Sequence, residues 1–250
     1  MTNVYETPEL LGQYLTFHYG TEAQLMPYAF GPKEALGFPV RCVHNLVAGD
    51  GQVRELAYDL GCAVGRSTFE LAHYARNVHG FDLSARFIDA ARTLLDRGRL
   101  ETDIVVEGEI TERIEVRRPT PIAGGRAGFE VGDAVELAET LPPADIVLAA
   151  NMLCRLPDPR RFLRAMARLV KPAGQLLLVT PLSWLETFTP RTAWPRDRAG
   201  QPVPGVVWIE EILERDFTLD HSEDMPFMIR EHARKYQWNV SHGMRWRRRD

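Results

Sequence analysis

Short apolar runs alternate with stretches of helical period through the middle of this chain, and no other feature constrains its fold as strongly. Residues 53–60 form an apolar run before a helical pattern at 66–76, and residues 78–83 form another before a helix that Ser84 would cap. Residues 144–150 are continuously apolar, as in strands buried on both faces. Strands that alternate with helices form a parallel sheet covered by helices, so the sequence predicts an α/β fold.

The same alternation continues toward the C-terminus and then changes. We predict a helix at 158–170 and a strand at 175–180. The pattern next indicates a helix at 208–215 and two long antiparallel strands at 217–228 and 236–246. These last strands would extend the parallel sheet with an antiparallel hairpin.

Two segments interrupt the alternation. Residues 103–131 alternate polar and apolar side chains and include a glycine-rich turn at 122–128, which predicts an inserted β-hairpin. Residues 181–205 contain five prolines and two tryptophans, and a loop of this length after a strand is typical of a lid over a binding site. With residues 1–48 as an N-terminal cap, we expect the whole chain to form a single domain.

Composition excludes several classes of protein. The 30 Lys and Arg residues against 34 Asp and Glu residues give a net charge of −4, which disfavours nucleic acid and anionic membranes as partners. The arginine-rich tail at 245–249 is therefore better explained as an edge strand with solvated charges. Cys42, Cys62 and Cys154 form no closely spaced pair, so neither a disulfide framework nor a zinc site is expected. Without a signal peptide or an apolar run of membrane-spanning length, we expect a soluble, cytoplasmic protein.

A glycine-containing turn follows the first predicted strand. Asp59, Gly61 and Gly65 have the spacing D-x-G-x-x-x-G, at a point where backbone amides at a helix N-terminus can meet an anion. A turn that serves packing alone is the alternative. The spacing lacks the three glycines of the dinucleotide motif G-x-G-x-x-G, which disfavours a nicotinamide-dependent oxidoreductase.

Polar residues also follow the next three predicted strands. Asp82 ends the second strand about 20 residues after the turn, where a carboxylate can accept both hydroxyls of a ribose. Asp133 and Asn151 end the third and fourth strands. Each residue alone could be a helix cap or a solvated loop residue. Because the ends of parallel strands meet at one edge of the sheet, their combination predicts a nucleoside site.

The segments DLGCAVG, GFDLS, GDA and AANML make residues 50–180 resemble the class I S-adenosylmethionine-dependent methyltransferases. The resemblance implies a Rossmann-like fold with a seven-stranded, mostly parallel sheet. It also implies S-adenosylmethionine as cofactor and S-adenosylhomocysteine as product. The cofactor-binding residues that it implies are Asp59, Gly61, Cys62, Gly65, Asp82, Leu83, Asp133, Ala134 and Asn151.

A narrower resemblance extends over nearly the whole chain. It rests on segments outside the core, including YETPELLGQYLTFHYG, PYAFGPKEALGFPVRC, NMLCRLPDP and HARKYQWNV. With the core, these segments resemble the 4-mercaptohistidine N1-methyltransferase family, which implies methylation of a ring nitrogen of 5-thiohistidine to give ovothiol A, and a functional partnership with a thiohistidine (sulfoxide) synthase. Methylation of another small amine, imidazole or carboxylate, or binding of the cofactor without catalysis, remain alternatives.

Several side chains are candidates for the chemistry of such a site. Tyr14 and His18 are four residues apart on a predicted amphipathic helix, so they share a face and could orient or deprotonate a ring; packing in the core is the alternative. Glu186, in the predicted lid, could accept a proton or bind an ammonium group, or be merely solvated. Substrate binding is assigned to Arg41, Asn151, Arg155 and Trp184, of which the arginines could equally be surface residues.

Overall fold

A computed structural model describes residues 4–49, 51–119 and 126–250. The α-helices are α1 (Pro8–Tyr19), α2 (Glu22–Leu25), α3 (Phe38–His44), α4 (Arg66–Leu71), α5 (Ala85–Arg97), α6 (Ala134–Thr140), α7 (Pro159–Leu169) and α8 (Gly205–Leu213). The strands are β1 (Arg54–Leu60), β2 (Ala75–Asp82), β3 (Arg99–Glu107), β4 (Ile110–Arg117), β5 (Arg126–Val131), β6 (Ala144–Ala150), β7 (Val170–Thr180), β8 (Phe217–His232) and β9 (Lys235–Arg248).

Seven strands form one sheet in the order β5-β2-β1-β6-β7-β9-β8. Neighbouring strands from β5 to β7 are parallel, whereas β9 is antiparallel to both β7 and β8. The predicted seven-stranded, mostly parallel α/β sheet is confirmed. Its parallel strands all end at the edge where the polar residues of the sequence motifs were expected.

The centre of the sheet is apolar on both faces, because helices cover both sides. Strand β6 shows this most clearly. Ala144, Val147 and Ala149 pack in one buried cluster, whereas Ile146 and Leu148 pack in another on the opposite face. A strand buried on both faces needs a continuous apolar run, which is the pattern that this segment has.

Some predicted boundaries were wrong. The helix predicted to reach residue 76 ends at Leu71, and Ala75 instead begins β2 by pairing with Arg54. Ala75 is fully buried in the sheet, which requires an apolar side chain. The same apolar side chain matched the helical pattern, so the sequence alone could not separate the two. Strand β7 starts at Val170, five residues earlier than expected. The tail is not an edge strand: β9 lies between β7 and β8, and Arg245 and Arg247 both bind Asp220.

The inserted hairpin exists but lies earlier than predicted. Strands β3 and β4 form a separate two-stranded sheet, with a turn that contains Gly108 in the left-handed region (φ 56°). Of the predicted turn at 122–128, residues 122–125 lie outside the described residues. The segment that follows is β5, which pairs with β2 and therefore belongs to the main sheet.

The proline-rich segment 181–205 has little regular structure, but buried contacts anchor it. The Thr189 hydroxyl donates to the backbone carbonyl of Leu156 (2.7 Å), and the Trp194 indole donates to the carbonyl of Thr189 (2.8 Å). Within the described ranges, no helix is long and apolar enough to cross a membrane.

Helix α1 packs directly on the inserted hairpin, and a glycine makes this contact possible. A Cβ atom built on Gly12 would lie 2.4 Å from the backbone carbonyl oxygen of Asp103 in β3. That oxygen belongs to a paired strand, so relief of the overlap requires α1 or the hairpin to move.

We therefore expect Gly12→Ala to destabilise the protein by about 1–3 kcal/mol, the usual cost of overpacking. Urea unfolding monitored by circular dichroism would measure the change. Gly49→Ala is the matched control, because a Cβ atom there meets no atom within 4 Å. Equal stability of the two variants would contradict the proposed close contact.

Candidate cofactor and substrate cavity

A cavity of about 560 Å³ lies at the C-terminal edge of the parallel strands, within the range of small-molecule sites. It is lined by the strand ends and the turns after them, by helices α1 and α3, by part of the 181–205 loop and by the β8–β9 hairpin. Its lining includes Tyr5, Gln13, Tyr14, Phe17, His18, Asp59, Gly61, Cys62, Asp82, Leu83, Asp133, Ala134, Asn151, Arg155, Phe227, Ile229, Gln237 and Asn239.

Asp82 connects two turns at the floor of the cavity. One carboxylate oxygen accepts the backbone N–H of Ala63, and the other accepts the backbone N–H of Ser84, both at 2.9 Å. Burial raises the pKa of Asp82, although these amide bonds oppose the shift. An ionised carboxylate has about four acceptor positions, so both oxygens can accept further donors such as the hydroxyls of a ribose.

The glycine-containing turn packs closely against neighbouring side chains. Gly61 has φ 75°, and a Cβ atom there would lie 3.0 Å from Cβ of Met152. The amides of Gly61 and Cys62 both donate to the carbonyl of Phe81. The predicted role of these amides as anion donors therefore has no geometric support, because they already have partners. Gly65 does not line the cavity, and its missing Cβ accommodates the ring of Phe129.

Asp59 lines the cavity beside this turn. Its side chain is almost fully buried and accepts a hydrogen bond from the Thr68 hydroxyl at 2.7 Å. Burial raises the pKa of Asp59 to about 7, while the bond from Thr68 opposes that rise. This carboxyl can therefore change its charge near neutral pH.

The remaining predicted cofactor residues also line the cavity. Asp133 caps α6 by accepting the amide of Val135 at 2.8 Å. Asn151 has φ 55°, an uncommon conformation for a residue other than glycine, and its side-chain oxygen accepts the Ser241 hydroxyl at 2.7 Å. Leu83 is 63% exposed, so it presents an open apolar surface for a flat ring.

Tyr14 and His18 both face the cavity, as the helical spacing predicted. Their ring centroids are 6.0 Å apart with planes 30° from parallel. Nδ1 of His18 is inaccessible to solvent and has no hydrogen-bond partner among the described residues. Burial, assisted by the positive charge of Arg66, lowers the pKa of His18 to about 3, so its ring is neutral at physiological pH. Burial also raises the pKa of the Tyr14 phenol.

Besides Gly65, three other residues predicted from sequence do not line the cavity. Glu186 is exposed and pairs with Arg191 at 3.1 Å, so it cannot reach a ligand there in this arrangement. Trp184 packs edge-on against Trp208 on the core side of the loop. The Arg41 guanidinium donates to the backbone carbonyls of Leu36 and Pro226 and thereby fixes the chain. Each prediction rested on the chemistry of the side chain, because the sequence does not show which way the side chain points.

Arg155 does line the cavity. Its guanidinium donates to the carbonyl of Ser183 at 2.8 Å and lies 5.0 Å from the centre of the Phe188 ring. Tyr5 lies beside it: the hydrogen bond and charge of Arg155 partly oppose the rise in the pKa of Tyr5 that burial causes. This group of residues connects the N-terminal turn to the 181–205 loop above the cofactor residues.

Sequence analysis missed several polar residues of the lining. Tyr5 and Gln13 come from the N-terminal segment, and Gln237 and Asn239 come from β9. Gln13 comes directly before Tyr14 on α1, but adjacent helical residues do not share a face, so the spacing of Tyr14 and His18 did not identify it. Gln237 and Asn239 share a face of β9 at period 2, but only the register of the hairpin shows which face meets the cavity.

Comparisons with known proteins agree with this arrangement. Residues 58–178 match the family model described as a methyltransferase domain. Two relatives are named ubiquinone biosynthesis O-methyltransferase. The one from Sodalis glossinidius is 28% identical over 59% of this chain and 51% of its own length; the one from Pseudomonas aeruginosa is 31% identical over 49% and 42%. The chain thus spans about half the length of these curated relatives.

Solved structures show the same fold. The N-methyltransferase NodS of Bradyrhizobium japonicum, in complex with S-adenosylhomocysteine, is 15% identical, with a TM-score of 0.53 and coverage of 96% of this chain and 99% of its own. A SAM-dependent methyltransferase of Methanosarcina mazei is 19% identical, with a TM-score of 0.53 and coverage of 83% and 96%. Residues 58–178 therefore match a methyltransferase domain, and the solved structures have the predicted fold, which agrees with the predicted enzyme class and cofactor.

Asp82 gives a direct test of cofactor binding. Asp82→Asn replaces one acceptor oxygen by a donor, and a hydrogen bond to a charged group contributes about 1.5–3 kcal/mol. We expect the Kd for S-adenosylhomocysteine to rise by at least about tenfold in calorimetry. Asp89→Asn, on the exposed face of α5, should keep the wild-type Kd. Wild-type affinity in Asp82→Asn would exclude ribose binding by this residue.

His18 should also make the protein sensitive to acid. An unfolded histidine has a pKa of about 6.5, and the folded pKa of His18 is about 3. Its contribution to stability is therefore complete above about pH 6.5 and is lost as the pH falls toward 3. We expect His18→Phe to lose less stability than wild type between about pH 7 and pH 4 in urea titrations. Equal losses would show that His18 is not held neutral.

Proposed function

We propose that the protein transfers the methyl group of S-adenosylmethionine to a ring nitrogen of 5-thiohistidine and thereby produces ovothiol A. The observation that carries this proposal is the neutral imidazole of His18, whose buried Nδ1 has no partner among the described residues and which lines the same cavity as Tyr14 and the predicted cofactor residues. A buried polar atom without a partner is costly unless a ligand or water satisfies it. An imidazole ring can supply the missing hydrogen bond.

His18 can select one ring nitrogen through this bond. When its Nδ1 accepts the N–H of one nitrogen of the substrate ring, the other nitrogen points away with its lone pair free. The bound cofactor supplies an activated methyl group on a sulfonium. Positioning of two reactants can lower an activation barrier by about 7–11 kcal/mol. Holding the ring nitrogen in line with that methyl group would provide most of this effect.

With a pKa of about 3, His18 orients the ring rather than storing its proton. Methylation leaves the ring with a positive charge, and the ring becomes neutral when its other nitrogen releases its proton to solvent. General bases work best with a pKa near the working pH, which His18 does not have. We therefore assign His18 a role as a hydrogen-bond acceptor, rather than the role of general base that the sequence suggested.

Nitrogen must also be chosen over sulfur, which is the better nucleophile. Arg155 lies in the cavity wall near the end of β6, and its guanidinium carries donors in a fixed fork. We assign it to hold the sulfur away from the methyl group. We assign Asn151, whose side chain accepts the Ser241 hydroxyl, to a position beside the reacting atoms. The thiohistidine synthase remains the proposed functional partner, since it would supply this substrate.

Oxygen methylation is the second candidate, and the names of the curated relatives favour it. Those relatives are named ubiquinone biosynthesis O-methyltransferases. The aromatic part of the cavity, with Phe17, Phe38 and Phe227, would also accept a phenol ring. A phenol differs from imidazole in that its reacting oxygen must lose its proton, for which His18 at its low pKa is poorly suited.

Mass spectrometry of reactions with S-adenosylmethionine and either 5-thiohistidine or histidine tests the proposal, with fragmentation to locate the added methyl. We expect a methyl on the ring nitrogen of thiohistidine. His18→Phe should lower kcat by about 100-fold, the low end for a positioned hydrogen-bonding group, while the Kd for S-adenosylhomocysteine is retained.

His73→Phe is the matched control, because His73 lies outside the cavity and should leave turnover unchanged. Methylation at sulfur, or none despite cofactor binding, would overturn the proposed substrate. The second outcome would favour another acceptor or a binding protein without catalysis.

A further inference from the structure

Strand β9 directs a row of polar side chains toward the cavity. Gln237 and Asn239 line it, and Ser241, two residues further along the same face, binds Asn151 at 2.7 Å. Alternate residues of a strand lie about 6.6–6.8 Å apart on one face. The row therefore runs from the rim of the cavity to the residue placed beside the reacting atoms.

Asn239 differs from its neighbours in having no protein partner. The Gln237 amide donates to Glu231 at 2.6 Å, and the Ser241 hydroxyl donates to Asn151. Within the part of the chain that the structure describes, the Asn239 side chain makes no hydrogen bond. A side-chain amide offers two donors and one acceptor oxygen, so Asn239 can meet several kinds of polar atom.

The surroundings of Asn239 are aromatic. It is paired across the hairpin with Phe227, whose ring lies 4.8 Å from that of Phe38 and 6.0 Å from that of Phe17. All three rings line the cavity. A flat ligand ring can pack among them, and an amide at their edge can hydrogen-bond to a ring heteroatom.

The same end of the cavity carries no charged side chain in its described lining. The acidic residues of the lining, Asp59, Asp82 and Asp133, come from the strand ends, and Arg155 lies near Tyr5 and bonds to Ser183 of the 181–205 loop. The guanidinium of the nearby Arg41 donates its hydrogen bonds to backbone carbonyls. A charged ring would lose its hydration here without gaining an opposite charge.

We propose that Asn239 is a specificity-determining residue, whose amide hydrogen-bonds to the substrate ring and which, with the aromatic side chains around it, selects a heteroaromatic ring without net charge. This inference rests on the proposed function only in taking a heteroaromatic ring as the methyl acceptor. The amide of Asn239 and the Nδ1 of His18 then bind the ring from two different elements, β9 and α1.

A binding experiment tests this inference without requiring turnover. The protein is saturated with S-adenosylhomocysteine, and ligand-observed NMR measures the affinity of two probes, neutral 1-methylimidazole and the permanent cation 1,3-dimethylimidazolium. The pH is kept well above about 6.5, where an ordinary imidazole is neutral. Wild type should bind the neutral probe and discriminate against the cation.

Two variants separate the hydrogen bond from the charge. Asn239→Leu should weaken binding of 1-methylimidazole by roughly tenfold, and Asn239→Asp should narrow or reverse the discrimination against the cation. In both, the Kd for S-adenosylhomocysteine should stay at the wild-type value. Val240→Ala is the control, since Val240 follows Asn239 on the opposite face of β9 and is partly exposed.

The outcomes distinguish this inference from the proposed function. Wild-type affinity for both probes in Asn239→Leu and Asn239→Asp would overturn the role of Asn239, even if thiohistidine is methylated. Failure of wild type to bind the neutral probe would also overturn it. Altered probe selectivity without methylation of thiohistidine would support the role of Asn239 and reject only the proposed substrate.

Discussion

Asp82 holds two turns together and thereby fixes the shape of the cavity floor. Its carboxylate accepts the amide of Ala63 after β1 and the amide of Ser84 before α5, so the two strand ends are held at a fixed separation. Ser84 in turn caps α5 and donates its hydroxyl to the carbonyl of Tyr5. One carboxylate therefore fixes the turn that approaches the cofactor, the start of a helix and the position of the N-terminal segment.

The opposite wall depends on how α1 is attached. The Tyr19 hydroxyl donates to the carbonyl of Val64 at 2.7 Å, and the Arg66 guanidinium donates to the carbonyl of His18 at 3.2 Å. Both bonds connect the end of α1 to the start of α4, which follows the cofactor turn. The inserted hairpin supports the other side of α1 at Gly12. The insertion thus holds a wall of the site without contacting the ligand.

The parallel sheet and the cofactor side could be predicted because local patterns determine both. Apolar runs gave the strands, and Asp82 and Asp133 lie where those strands end. The substrate side could not be predicted in the same way. Whether Trp184 faces a ligand or Trp208, and whether Gln237 and Asn239 face the cavity or solvent, depends on loop packing and on the register of β8 with β9. Neither is encoded in a short motif.

A single cause, burial in the protein, shifts the pKa values of groups on both sides of the cavity toward the neutral form. Burial raises the pKa of Asp59 to about 7 and that of Asp82, and it lowers the pKa of His18 to about 3. A cationic sulfonium is favoured near the acidic residues, because its charge offsets their desolvation. In the proposed role of Asn239, the side with His18 and Asn239 has no such compensation and therefore favours a ring without net charge. We infer that burial separates the cavity into a side suited to a charged methyl donor and a side suited to a neutral acceptor.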